Sequence, residues 1–220
     1  MTTILRIDAS SRPGPALAAG AEASFSRTLA DALLEHLTTK FDARLEAVRD
    51  LATNPIPAIS DATIKGFYTP PEAMSDELQA ATALSDTLIA EIEAADILLI
   101  STPIYIFSVP AALKAWIDQI VRIGRTFAYK DGEFRGLLKD KRAYVAYAYG
   151  APGYGEGGPL EAYDYMKPYL TMILNFIGIE QVESFAIEGT TGEAGAVEAA
   201  MAAALASIER HFTSQEAVSC

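Results

Sequence analysis

Ser101-Thr102-Pro103-Ile104-Tyr105-Ile106-Phe107-Ser108-Val109-Pro110-Ala111-Ala112-Leu113-Lys114 passes from the end of an apolar strand, through an aromatic loop, into a helix. The preceding Asp96-Ile97-Leu98-Leu99-Ile100 is apolar without alternation, which is the pattern of a strand buried on both faces of a parallel sheet. Pro103 is expected to stop that strand. Ligands of open α/β sheets gather just beyond the carboxyl ends of such strands, so Tyr105 and Phe107 stand where a flat group would dock. Ordinary packing of loop aromatics is the alternative for both.

Outward from this strand, helices and strands alternate. Thr3 to Asp8 reads as a first strand, and Ser26 to about Lys40 as a helix carrying Leu29, Leu33, Leu34 and Leu37 at helical spacing. A strand near Ala43 to Val48 follows, then a stretch broken by Pro55, Pro57, Pro70 and Pro71. Ser75 opens and caps a long helix to about Ala94. Beyond the central strand, Val109 to Ile123 is expected to be helical, with Leu113, Trp116, Ile117 and Ile120 on one face. A hairpin around Asp131-Gly132, a strand from Ala143 to Tyr149, a helix from Tyr165 to Phe176 stopped by Gly178, a strand from Val182 to Ile187 and a helix from Gly195 to His211 complete the chain. This alternation predicts one α/β domain over residues 1–220: a doubly wound, five-stranded parallel sheet with helices on both faces.

With 220 residues and 50% hydrophobic content, one core is well supplied. A net charge of −12 argues against nucleic acid or an anionic membrane as partner, since both favour basic faces. The sequence shows neither a charged-then-apolar leader nor an apolar run of about 18 residues, so a soluble cytoplasmic protein is expected. The lone Cys220 and only two histidines, His36 and His211, make disulfides, thiolate clusters and a structural zinc site poor readings.

Three loops fall on the carboxyl edge of the sheet. The first runs from Ser10-Ser11-Arg12 through Gly14 and Gly20 to Ser24-Phe25-Ser26, bringing hydroxyls to a helix start whose free amides suit a phosphate. Capping of the helix by Ser24 or Ser26 is the alternative there. No Gly-Lys-Ser/Thr ending is present, which argues against a nucleoside-triphosphate site. The second is the Tyr105 loop. The third is glycine-rich and contains Gly153-Tyr154-Gly155-Glu156-Gly157-Gly158, a G-x-G-x-x-G outside the first strand–helix unit, read as a flexible ligand-approaching loop and not as a dinucleotide fingerprint. There is no G-x-S-x-G elbow for a serine hydrolase, and Asp8 lacks the neighbouring acids of a phospho-acceptor. A hydroxyl loop after strand one, an aromatic loop after strand three and a glycine loop after strand four form the arrangement of a flavodoxin-like mononucleotide site.

Pro103-Ile104-Tyr105-Ile106-Phe107-Ser108-Val109-Pro110, with Leu113-Lys114-Ala115-Trp116-Ile117-Asp118, resembles the FMN-dependent NADH-azoreductase family. Gly124 to Tyr129, Gly136-Leu137-Leu138, Pro168-Tyr169-Leu170 and Phe176 to Ile179 continue the likeness over nearly the whole chain. The resemblance implies a flavodoxin-like homodimer that binds FMN and uses NADH or NADPH to reduce quinones and azo compounds in ping-pong order. It assigns the phosphate side to Ser10, Ser24, Phe25 and Ser26, the flavin loop to Ile104, Tyr105, Ile106 and Phe107, and the opposite ring edge to Ala148, Tyr149, Gly150 and Ala151. No catalytic acid is nominated, because the flavin would carry the hydride chemistry. The chain departs from the family pattern in a longer loop before Ser24, in Ile106 where Asn is common, in Ala148-Tyr149-Gly150-Ala151 for a Ser-Arg-Gly-Gly-like segment, and in Ile173 for an aromatic. These changes bear more on substrate preference than on FMN, which backbone amides can hold. A dimer would use the apolar helix faces around Trp116 and Tyr169, and the final helix and the Phe127 hairpin, which exceed what a minimal flavodoxin needs, also suit a dimer face. The rivals are a non-enzymatic flavodoxin-type electron carrier, favoured slightly by the acidic charge, and a flavin-free relative of the same fold.

Overall fold

The computed structural model describes residues 1–17 and 22–218. Gly20 and Cys220 lie outside the described residues. Among the described residues, seven strands and six α-helices follow one another as β1 (Thr3–Asp8), α1 (Phe25–Phe41), β2 (Arg44–Asp50), α2 (Asp61–Tyr68), α3 (Asp76–Ala94), β3 (Ile97–Pro103), α4 (Ala111–Ile120), β4 (Phe127–Lys130), β5 (Glu133–Gly136), β6 (Arg142–Ala148), α5 (Met166–Phe176), β7 (Gln181–Ile187) and α6 (Ala194–Val218). Five strands form one sheet in the order β2-β1-β3-β6-β7, with every pairing parallel. The antiparallel β4–β5 hairpin stands apart. The order reverses between β1 and β3, so the loops after those strands part and leave a crevice at the carboxyl edge.

Period-two alternation divides the core between the two faces. Leu5, Ile7, Leu98, Ile100, Val145 and Tyr147 point into a cluster with residues of α3, α4 and α5, whereas Ile4, Leu99, Tyr144 and Ala146 meet α1 and α6. The same alternation puts Arg6 and Asp8 on the α1 side, both nearly fully buried. A strand packed on both faces has no solvent side for these charges, so they find partners inside the protein: each other, Ser101 of β3 and Asp31 of α1.

Four boundaries differ from the expectation for physical reasons. The α4 helix ends at Ile120 and not at Ile123, because the Thr126 hydroxyl donates to the Ile120 carbonyl at 2.6 Å and accepts from Arg122 N at 3.0 Å, turning the chain outward. Strand β3 includes Pro103. Ile104 N donates to Ala148 O, so the nitrogen one residue earlier faces the β1 side, where β1 has already ended and no donor is missed. The proline-broken stretch holds α2, started by a reciprocal cap in which Ser60 Oγ accepts from Thr63 N at 3.1 Å and Thr63 Oγ1 from Ser60 N at 3.2 Å. The last helix runs beyond His211 to Val218.

Candidate active site at the carboxyl edge of the sheet

Ser10 follows β1, and Ser24 to Ser26 open α1; all three serines are buried. Ser24 is the N-cap, its Oγ accepting from Arg27 N at 3.4 Å, and it shares a hydrogen bond with Ser26 Oγ at 3.2 Å. Ser10 Oγ accepts from Arg12 N at 3.2 Å, which leaves its own proton unspent. Among the described residues the amides of Phe25 and Ser26 have no partner, as the first turn of a helix requires. The cradle therefore presents hydroxyl and amide donors without a side-chain cation.

Beneath it lies an ion network. Arg6 Nε holds both oxygens of Asp8 at 3.0 and 3.1 Å, and Arg6 Nη1 reaches Asp31 of α1 at 2.6 Å. Ser101 Oγ donates to Asp8 at 2.6 Å. Arg27 grips the Asp50 carboxylate with two bonds, at 2.7 and 2.8 Å, and this pairing, led by the hydrogen bond itself, holds Asp50 below the usual carboxylate range. Burial opposes the charge of Arg6, but attraction to Asp8 and Asp31 leaves its pKa raised. Asp8 is thus committed to partners inside the protein.

The second loop is a tight hairpin turn. Tyr105 N donates to Ser108 O at 2.9 Å and Ser108 N to Tyr105 O at 3.2 Å, with Ile106 at φ 45° and Phe107 at φ 68° between them. Two consecutive left-handed residues define a type I′ turn, which Asn-Gly fills best and a β-branched residue worst. Ile106 is 89% exposed, and Phe107 leans on Tyr163 with ring centroids 5.5 Å apart. The Tyr105 hydroxyl meets Ser11 Oγ at 2.7 Å and accepts from Ser11 N at 3.3 Å. Ile104 N meets Ala148 O at 2.9 Å. The three loops after β1, β3 and β6 are therefore contiguous along one crevice.

After β6, Tyr149 N donates to Ile187 O and its carbonyl accepts from Thr190 N, while Ala148 O is taken by Ile104 N. The Tyr149 ring is buried, stacked on Tyr154 at 4.8 Å, and its hydroxyl donates to Asp164 at 2.8 Å. Burial, helped by Asp164, pushes this phenol far above its ordinary pKa. Tyr149 is consequently spent within the protein, whereas the amides of Gly150 and Ala151 have no partner among the described residues. The G-x-G-x-x-G segment proves to be tied down. Gly153 N and Tyr154 N donate to the Glu188 carboxylate at 2.6 and 3.1 Å, and Gly157 N donates to Glu161 at 2.8 Å. A Cβ on Gly158 would meet the carbonyl oxygen of Gly153 at 2.3 Å, so this glycine closes the loop on itself.

The model of the flavodoxin-like fold family matches residues 2–212. An FMN-dependent NADH:quinone oxidoreductase of Xanthobacter autotrophicus is 51% identical over 183 residues, which are 83% of this chain and 84% of the relative. The chain belongs to the FMN-dependent NADH:quinone oxidoreductase family. A second member, the FMN-dependent NAD(P)H:quinone oxidoreductase 1 of Pseudomonas aeruginosa, is 41% identical over 86% of this chain and 88% of its own length. The azoreductase of Bacillus anthracis str. Sterne shares the fold with a TM-score of 0.82 at 24% identity, covering 96% of this chain and 99% of that one.

Several residues around this family site escape a reading of loops alone. Arg27 and Asp50 pair across α1 and β2, and Ser11 meets Tyr105 from a position between the serines singled out. Glu188 lies just past β7. A local signal existed for the network beneath: Arg6 and Asp8 alternate along β1 on the face that the apolar strand pattern buries. Trp116 is a correction. It is 1% exposed within the core and supplies no surface for a partner, whereas Tyr169 packs against the same cluster and stays partly exposed.

Proposed function

We propose that this chain is an FMN-dependent oxidoreductase that takes electrons from NADH or NADPH and delivers them to quinones and azo compounds. The observation that carries the reading is the 51% identity to an FMN-dependent NADH:quinone oxidoreductase over most of both chains. The residues present fit FMN. Hydroxyls and open amides at Ser10, Ser24, Phe25 and Ser26 suit its single phosphate, and the carboxylates beneath them, Asp8 and Asp50, are both neutralised by arginines. Tyr105, Ile106 and Phe107 line the adjoining crevice, with Ile104 beneath them, and the Gly150 and Ala151 amides close its far end.

FMN held there would supply the hydride chemistry between the nicotinamide and the second substrate. The protein orients it and adds electrostatics: the unpartnered amides at Gly150 and Ala151 are preorganised donors for negative charge developing at that edge. Tyr105, anchored on Ser11, and Phe107, backed by Tyr163, are the walls against which flat substrates rest. Both substrates use this one face in turn, which is ping-pong order.

The protein acts as one domain, in the cytoplasm, and as a homodimer with the crevice shared at the interface. Exposed Tyr129 and Phe134 on the hairpin, with Met172 on α5, support an apolar contact, and symmetric dimers are the commonest assemblies. No helix among the described residues is long and apolar enough to cross a membrane. Extraction of stoichiometric FMN, and steady NADH consumption with a small quinone, test the reading. Recovery of FAD, or of no flavin after FMN is supplied, rejects it, and flavin without NADH turnover leaves the electron carrier.

A further inference from the structure

We propose that Arg27 is the positioning residue of the phosphate cradle, its side chain fixing the Ser10 arm between α1 and the end of β2; the inference rests on the FMN reading above. One side chain ties the first arm down: Arg27 Nη2 donates to the carbonyl of Ser10 at 2.8 Å while its guanidinium takes both oxygens of Asp50. The second arm meets the same residue through its backbone, the Arg27 amide donating to the Ser24 cap at 3.4 Å as any residue at this position of the helix would. Gly14, from the chain between those arms, passes over the arginine stem: a Cβ there would stand 3.6 Å from Arg27 Cδ. The side chain is only 5% exposed.

The cradle needs such a brace because its donors are uncharged. Of the three serine protons, one is used between Ser24 and Ser26, so two hydroxyls and two helix amides remain to meet an anion. Neutral donors gain their worth from convergence on one point, and a longer loop leaves more freedom to lose when they converge. The guanidinium itself is spent on the protein; only Nε is unpartnered. It acts on the phosphate through Ser10 and not by contact. Asp31 is the internal control, since it belongs to the same ion network yet, among the described residues, its carboxylate pairs with Arg6 and not with Arg27.

The test compares dissociation constants of FMN and riboflavin, by flavin fluorescence on flavin-free protein, for the parent, Arg27→Met, Arg27→Lys and Asp31→Asn, with the melting temperature of each. Arg27→Met should weaken FMN about tenfold or more and riboflavin, which lacks the phosphate, about twofold at most. Arg27→Lys keeps the charge but not the planar fork, and should recover part of the loss. Asp31→Asn should leave the FMN-to-riboflavin ratio at the parental value whatever it does to melting. Parental FMN affinity in Arg27→Met, or an equal loss of both flavins, overturns the proposal; so does an Asp31→Asn variant that shifts the ratio as far as Arg27→Met. Should Arg27→Met not fold, Arg27→Lys decides by the same ratio. A parent that binds neither flavin fails the functional reading, a different outcome from a parent that binds FMN with variants that match it.

Discussion

Replacing Ile106 by Asn should make the flavin-free protein more stable, although it puts a polar residue in place of an apolar one. Ile106 sits at φ 45° in a two-residue turn closed by paired Tyr105–Ser108 hydrogen bonds, and nothing in that geometry lets the backbone relax without breaking them. A left-handed backbone costs an L-residue about 1–2 kcal/mol, most for a β-branched side chain; Asn is among the few residues that visit it routinely. The opposing term is small. Full burial of an isoleucine is worth about 1.5–3 kcal/mol, and a side chain that is 89% exposed realises only about a tenth of that. The balance is a gain of about 1 kcal/mol, or about 2–4 °C in melting temperature for a chain of this length.

Urea unfolding of flavin-free protein is the assay, because bound ligand adds its own stabilisation and would mask a difference of this size. Ile106→Val keeps the β-branch and should gain nothing. Ile106→Gly should gain less than Asn, since glycine's greater freedom in the unfolded chain costs about 0.5–1 kcal/mol. An Asn variant no more stable than the Val variant would refute the strain argument. If the argument holds, selection has kept a destabilising residue at the crevice, and Ile106→Asn should alter kcat/KM for the electron acceptor more than it alters FMN affinity.

Ser26→Ala removes no helix cap, so its effect should appear in FMN affinity and not in stability, whereas Ser24→Ala should cost about 0.5–2 kcal/mol as well; denaturation curves beside flavin titrations separate the two. Asp50 has its pKa lowered in the folded state, so the stability it contributes is present above the unfolded value of about 4 and is lost as pH falls through the folded one. Urea midpoints taken from pH 6 to pH 2.5 should therefore decline less steeply in Asp50→Asn than in the parent. Gly136→Ala would set a Cβ 2.2 Å from the backbone nitrogen of Gly178, itself at φ 106°, and should destabilise by about 1–3 kcal/mol, read as a lower urea midpoint.

The sheet was legible because its strands are short apolar runs between amphipathic helices, a pattern set by burial on two faces. Boundaries were less so where a side chain decides them. Thr126 ends α4 from six residues beyond Ile120, and a hydroxyl reaching backward leaves no periodic trace. Helix α2 was hidden by the prolines around it and by a cap that uses Thr63 where Glu or Gln is the usual signal. Trp116 shows the converse error: an apolar helix face announces burial, but whether against the sheet or a second subunit depends on which way the helix is turned.

At the crevice, the sequence located the loops but not the direction of their groups. Tyr149 and Gly150 are neighbours in the segment that departs from the family pattern, yet Tyr149 has its amide, carbonyl and hydroxyl committed inside while Gly150 keeps a free amide. Nothing in residue type predicts this, because the choice is made by Ile187 and Thr190 at the end of β7 and by Asp164 ahead of α5, two segments distant from Tyr149 in the chain. The glycine-rich segment makes the same point from the other side. Its amides form an anion-accepting nest, and the anion they hold is the protein's own Glu188, so a motif that resembles a pyrophosphate site is here a strut positioning the loop after β6. A crevice built from backbone donors tolerates the loss of a family Arg or Asn, provided that buried carboxylates and Arg27 keep those donors in place; the side chains at Ile106 and Tyr149 are then free to vary with the substrate.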